Sequence, residues 1–203
     1  MRPSEMNTVV FRLLPPVFAV LLAACGQSGV APEQAAAYSA EAVRLFAQGC
    51  VAHGGNAQRT AAWARQHNLQ PLSAEAVKKL PAGMMEPDAQ AVWQTERNGA
   101  VFYLSTAPAS CSVKTAVADE AAARRDVVAM AEQGGEGAAA RFRSENSVSS
   151  PFPFRQLVYT RLDSGSSEEI LLTANTSPSG HVPAQLALHL SRRPLGLNPV
   201  VNP

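Results

Sequence analysis

The stretch AVWQTERNGAVFYLSTA, residues 91–107, sets the dipeptide Asn98-Gly99 between two runs rich in β-branched and aromatic residues. A two-residue loop of this type needs positive φ at both positions, which Asn and Gly tolerate, and it fixes an antiparallel hairpin. In that register Trp93 faces Leu104 and Thr95 faces Phe102, while Glu96 and Val101 fall on the other side. One face is therefore apolar and needs a cover. Beyond Pro108, the run Cys111-Ser112-Val113-Lys114 starts a third strand, and its Cys111, Val113 and Thr115 share a face because side chains alternate along a strand. With that face inward, Cys111 points at the covering layer.

The cover is helical. Tyr38, Ala42, Leu45 and Phe46 recur at helical spacing, and Pro32 and Glu33 suit a first turn. The helix is expected to run from Pro32 to about Gly49, with Gly54-Gly55 as its stop. Asn56 caps a second helix over 57–67 with Trp63 as its apolar anchor, and Ser73 caps a short third one that stops at Pro81. Asp119 caps a fourth, EAAARRDVVAMAEQ, whose stripe is Ala123, Val127 and Met130.

The C-terminal part is β-rich. A short strand is expected at 141–143, then a loop over 147–153. FRQLVYTRL (154–162) and EEILLTANT (168–176) form a hairpin, and AQLALHLSRR (184–193) closes the sheet. In the last strand Leu186, Leu188 and Leu190 alternate with His189, which is placed on the polar, exposed face. These elements predict a single α+β domain over 32–193, an antiparallel sheet of two meanders with helices packed on one face. Residues 194–203, rich in Pro and Asn, are expected to form a mobile tail.

The address is written at the N-terminus. Arg2 and Arg12 precede the apolar run LLPPVFAVLLAA, which suits the core of a secretory signal. It ends in Leu22-Ala23-Ala24-Cys25, and this resembles a bacterial lipobox. The resemblance implies a signal peptide over 1–24, acylation of Cys25, and a short tether over 25–31. Because Gly26 and not aspartate follows the cysteine, it also implies sorting to the outer membrane; the domain is expected to face the periplasm. Several acyl chains on one residue anchor stably.

The chain holds 17 Lys and Arg against 16 Asp and Glu, and residues 1–24 contain Arg2, Arg12 and Glu5, so the remainder is neutral. Such a chain has no broad field for nucleic acid.

With Cys25 carrying lipid, Cys50 and Cys111 remain. In an oxidising compartment two cysteines are most simply read as one disulfide, here between the first helix and the third strand. Closing that long loop stabilises a fold by about 4 kcal/mol on the chain-entropy account. FAQGCVAHGG (46–55) allows two other readings. Cys50-x-x-His53 with Cys111 would give three metal ligands, but no further pair follows at ligand spacing. A Cys50–His53 hydrolase would set its nucleophile at a helix C-terminus, where the macrodipole disfavours a thiolate.

FAQGC (46–50), WARQ (63–66) and ASCSV (109–113) are together similar to uncharacterised proteobacterial lipoproteins of the neisserial type, a resemblance that brings no activity with it. The four histidines His53, His67, His181 and His189 sit on separate segments without ligand spacing. The functional expectation is a non-enzymatic, membrane-anchored envelope lipoprotein, a binding or interaction module with an envelope protein as its partner. It needs no cofactor and no metal. The alternatives are an immunity or inhibitor lipoprotein against an envelope-targeting effector, and the Cys–His hydrolase.

Overall fold

The computed structural model describes residues 29–133, 139–163 and 165–195. In chain order these form α1 (Pro32–Phe46), a π turn (Ala47–Val51), α2 (Ala57–Gln66), β1 (Gln70–Pro71) and α3 (Ala74–Lys78). The hairpin β2 (Ala91–Arg97) and β3 (Ala100–Ala107) follows, then β4 (Ser110–Thr115) and α4 (Glu120–Gln133). The last four strands are β5 (Arg141–Val148), β6 (Phe154–Leu162), β7 (Glu168–Thr176) and β8 (Leu186–Pro194). All eight strands join one sheet in the order β1-β2-β3-β4-β8-β7-β6-β5, and every pairing is antiparallel. The two meanders meet where β4 pairs β8, so the fold is the α+β arrangement that the sequence predicts.

The hairpin has the expected turn and register. Asn98 and Gly99 take φ of 54° and 84°, and Trp93 pairs with Leu104 and Thr95 with Phe102. Its apolar face continues through Val113 and Cys111 into Leu186, Leu188 and Leu190, none of which is more than 1% exposed. α1 lies on that face. The Tyr38 hydroxyl donates to the Asn98 carbonyl at 3.2 Å, and its ring meets Phe102 edge-on at 6.5 Å between centroids.

α4 starts beside the first half of α1. The Asp119 carboxylate accepts from the Ala122 amide at 2.7 Å as an N-cap. Ser39, fully buried in α1, donates to the Asp119 carbonyl and accepts from its amide, at 3.0 and 2.9 Å. The two helices thus leave one point and run side by side.

The end of α1 differs from the expectation. The α-helix stops at Phe46 and widens into the π turn, where the Ala52 amide reaches back to the Ala47 carbonyl at 2.9 Å. Glycine is required at position 49, since a Cβ there would stand 2.9 Å from the Trp63 ring. Thr60 of α2 donates to the Gly49 carbonyl at 2.8 Å, so the turn and α2 pack as one unit.

From this turn Cys50 forms a disulfide to Cys111, with the two Cα atoms 5.6 Å apart. The expected staple is present, with two corrections. It leaves from the π turn following the first helix, and the strand that it reaches is the fourth in chain order. The extra strand is Gln70–Pro71, which pairs with Gln94 and Trp93.

Other boundaries also move. β5 has eight residues instead of the three expected and includes Ser147 and Val148. Its side chains are mostly exposed and polar, as suits a sheet edge that must not recruit another strand. β8 runs through Pro194, so the expected tail at 194–203 begins inside a strand, and its residues from 196 lie outside the described ones.

Two predictions follow from this packing. The variant carrying both Cys50→Ala and Cys111→Ala should lose about 4 kcal/mol of unfolding free energy in a denaturant titration; an unchanged midpoint would contradict the staple. Gly54 and Gly55 both have positive φ, but only a Cβ at 55 would collide with another residue, the Leu190 side chain. Gly54→Ala should therefore cost about 1 kcal/mol, and Gly55→Ala a further 1–3 kcal/mol or so of overpacking. Equal losses would show that the turn is not pressed against β8.

Candidate functional site

An open cleft of about 1220 Å³ lies along the C-terminal halves of α1 and α4. Its walls are mixed: Val43, Ala47 and Val51 with Arg44 on one side, Ala129 and Met130 with Asp126 and Gln133 on the other. Ile170 of β7 lines the cleft from the sheet, His53, Asn56 and Arg59 from the segment after the π turn, and Asp163, Ser166 and Glu168 from the β6–β7 turn.

Strand register puts two arginines into the floor. Arg161 of β6 and Arg192 of β8 both pair with Ile170, so the three form one row across the sheet. At the usual strand spacing the arginine backbones stand about 10 Å apart. Arg161 Nε lies 3.0 Å from Asp163 Oδ1, an ion pair in which the N–H does not point at the oxygen. Arg192 donates to the Pro108 carbonyl at 3.2 Å and sits 3.6 Å from Glu168.

Polar atoms in this cleft are left unmatched. Arg161 Nε, Arg192 Nε, His53 Nε2 and Asp163 Oδ1 are all buried without a hydrogen-bond partner. A buried unsatisfied group costs about 1–3 kcal/mol, and more when charged. By contrast each nitrogen of the Arg44 guanidinium has a partner: it forks onto the Glu41 carboxylate at 2.6 and 2.8 Å and reaches Gln48 at 2.7 Å. Burial, and then the charges of Arg59 and His67, hold the His53 imidazole below its ordinary pKa, which favours the neutral ring. Ser166 is occupied by the turn, donating to the Glu168 carbonyl and accepting from its amide, each at 3.0 Å. The site can therefore bind groups that bring both acceptors and donors.

The residues singled out from sequence separate here. Cys25, and with it the signal peptide and most of the tether, lies outside the described residues. Cys50 and Cys111 are bonded to each other, so neither is a free thiolate for catalysis or for a metal. His53, three residues beyond Cys50, faces the cleft. His67 stacks on Trp63 with centroids 4.4 Å apart, and His181 lies near Phe152 at 6.0 Å.

Arg161 and Arg192 were missed, although the sequence carries a signal for them. In β6 the inward series Leu157, Tyr159 ends in Arg161, and in β8 the series Leu186, Leu188, Leu190 ends in Arg192. A charge that completes an apolar alternation is a buried charge needing a partner.

His189 corrects another expectation. It is on the polar face, but that face is partly covered there, and His189 is half-buried. Lys114 on the same face donates to the Gly83 carbonyl at 3.1 Å and pairs with Glu86 at 2.9 Å, strapping the segment 81–90 across it. His189 is registered opposite Ser112, whose hydroxyl is 2.8 Å from that of Ser105, and its own Nδ1 is buried without a partner.

No family model matches the chain, and neither curated proteins nor solved structures match it.

Burial dominates at His189 and lowers its pKa; Lys114 lowers it further, while Glu86 and Asp88 oppose. The unfolded chain therefore takes up this proton first as pH falls. The stability conferred by the neutral ring is full above about 6.5 and is lost as pH drops from there through the folded value. The thermal midpoint should fall between about pH 7.5 and about pH 5, and His189→Gln should fall less over the same interval. An equal fall in both would contradict the burial of this ring.

Proposed function

We propose that the protein is a lipid-anchored lipoprotein of the cell envelope, held at the periplasmic side of the outer membrane. Its folded domain is a non-catalytic binding module, and the α1–α4 cleft is its binding surface. The observation that carries this reading is the Cys50–Cys111 disulfide, buried at both cysteines. Such bonds belong to oxidising compartments, and the chain that contains this one opens with a signal-like segment ending at Cys25. The bond also removes Cys50 as a nucleophile, which takes away the basis of the Cys–His hydrolase. A wide cleft with unmatched donors and an unmatched acceptor supports binding as the domain's work.

Expression of the full chain in a diderm bacterium fed an alkyne-bearing palmitate analogue tests the anchoring. The protein should label, Cys25→Ala should abolish the label, and the intact mass should match a lipidated chain starting at residue 25. An unlabelled wild-type protein, or label that survives in Cys25→Ala, would overturn the reading.

A further inference from the structure

Resting on the reading of the cleft as the domain's binding surface, we infer that it takes a short peptide bearing a free carboxylate. The carboxylate is held between Arg161 and Arg192, a peptide N–H meets Asp163, and small aliphatic side chains lie along the wall.

Three features of the cleft select this class. The first is the pair of guanidinium groups on either side of Ile170, whose Nε–H groups make no hydrogen bond although Arg161 stands 3.0 Å from Asp163 and Arg192 3.6 Å from Glu168, with His53 Nε2 similarly unpartnered in the same cleft. Guanidinium groups bind carboxylates with charge-assisted, directional bonds. The second is Asp163 Oδ1, which is ion-paired with Arg161 at 3.0 Å but accepts no hydrogen bond from it. A simple anion would satisfy the arginines and repel this carboxylate, whereas a peptide brings N–H groups along with its terminal oxygens. The third is the wall. Val43, Ala47 and Met130 offer short apolar contacts and no aromatic platform. At about 1220 Å³ the cleft exceeds the usual drug-sized pocket and has room for several residues.

The charges around the cleft are consistent with this ligand. Arg44 is committed to Glu41, Asp163 lies 3.0 Å from Arg161 and Glu168 3.6 Å from Arg192, and Asp126 of α4 is the further acid in the lining. Arg59 at the far end has no ion-pair partner among the described residues. It is available to a second carboxylate along the peptide.

The test is equilibrium dialysis of the full-length lipidated protein in detergent micelles. The probe is a pool of N-acetylated tetrapeptides with free C-termini, set against the same pool amidated and read by mass spectrometry. The free acids should be retained at least about tenfold better than the amides. Arg161→Gln and Arg192→Gln should each abolish that preference, while Arg65→Gln, which removes an exposed charge outside the cleft, should preserve it. Equal retention of acids and amides by the wild-type protein, or no retention of either, would overturn the assignment without recourse to any variant. A preference that survives both cleft substitutions would also overturn it. Loss of the ligand class leaves the palmitate result on Cys25 standing. Retained acids that emerge cleaved would instead overturn the non-catalytic reading while leaving the carboxylate site in place.

Discussion

The Cys50–Cys111 bond ties the one irregular turn of the helix layer to the middle of the sheet, and the geometry of the cleft depends on it. Cys111 is registered beside Leu190, and Arg192 follows two residues along the same strand. The cross-link therefore lies one inward-facing row, about 7 Å, from the arginine row. On the other side His53 comes three residues after Cys50. A single covalent tie thus positions both the sheet side and the His53 end of the cleft. The contacts around it reinforce the same placement. Gly49 admits the Trp63 ring, Thr60 caps the Gly49 carbonyl, and Gly55 passes over Leu190 where no side chain fits.

The sheet has two faces with different physics. The helix face is a continuous apolar surface from Trp93 to Tyr159, and burial there drives the fold. The opposite face carries Ser105, Ser112, Lys114 and His189, and the segment 81–90 crosses it there, held by the Lys114–Gly83 hydrogen bond and the Lys114–Glu86 ion pair. A largely buried lysine is expensive unless paired, and Lys114 is paired with Glu86 and bonded to Gly83. The consequence is a domain whose wide cleft opens on the helix side, beside α1 and α4.

Much of this was legible because local signals agreed. Asn98-Gly99, the alternation around it, and the caps at Asn56, Ser73 and Asp119 each rest on chemistry within a few residues. What was not legible depends on distant partners. Gln70–Pro71 is too short to show alternation and is a strand only because β2 offers an edge. β5 reads as polar coil because an edge strand has little apolar face to display. His189 alternates onto the polar side as expected, yet its cover comes from a segment a hundred residues earlier. The cleft lies between these cases. Its two arginines each break an apolar alternation, which is visible in sequence, but only the β6–β7–β8 register places them in one row.

The most direct test is a thiol count on the full-length protein extracted from the envelope and alkylated without reductant. The account predicts no alkylated cysteine before reduction and two after it, located at Cys50 and Cys111 by peptide mapping. Alkylation of both without reductant would mean that the π turn is not tied to β4. The cleft would then lose the constraint that sets its shape.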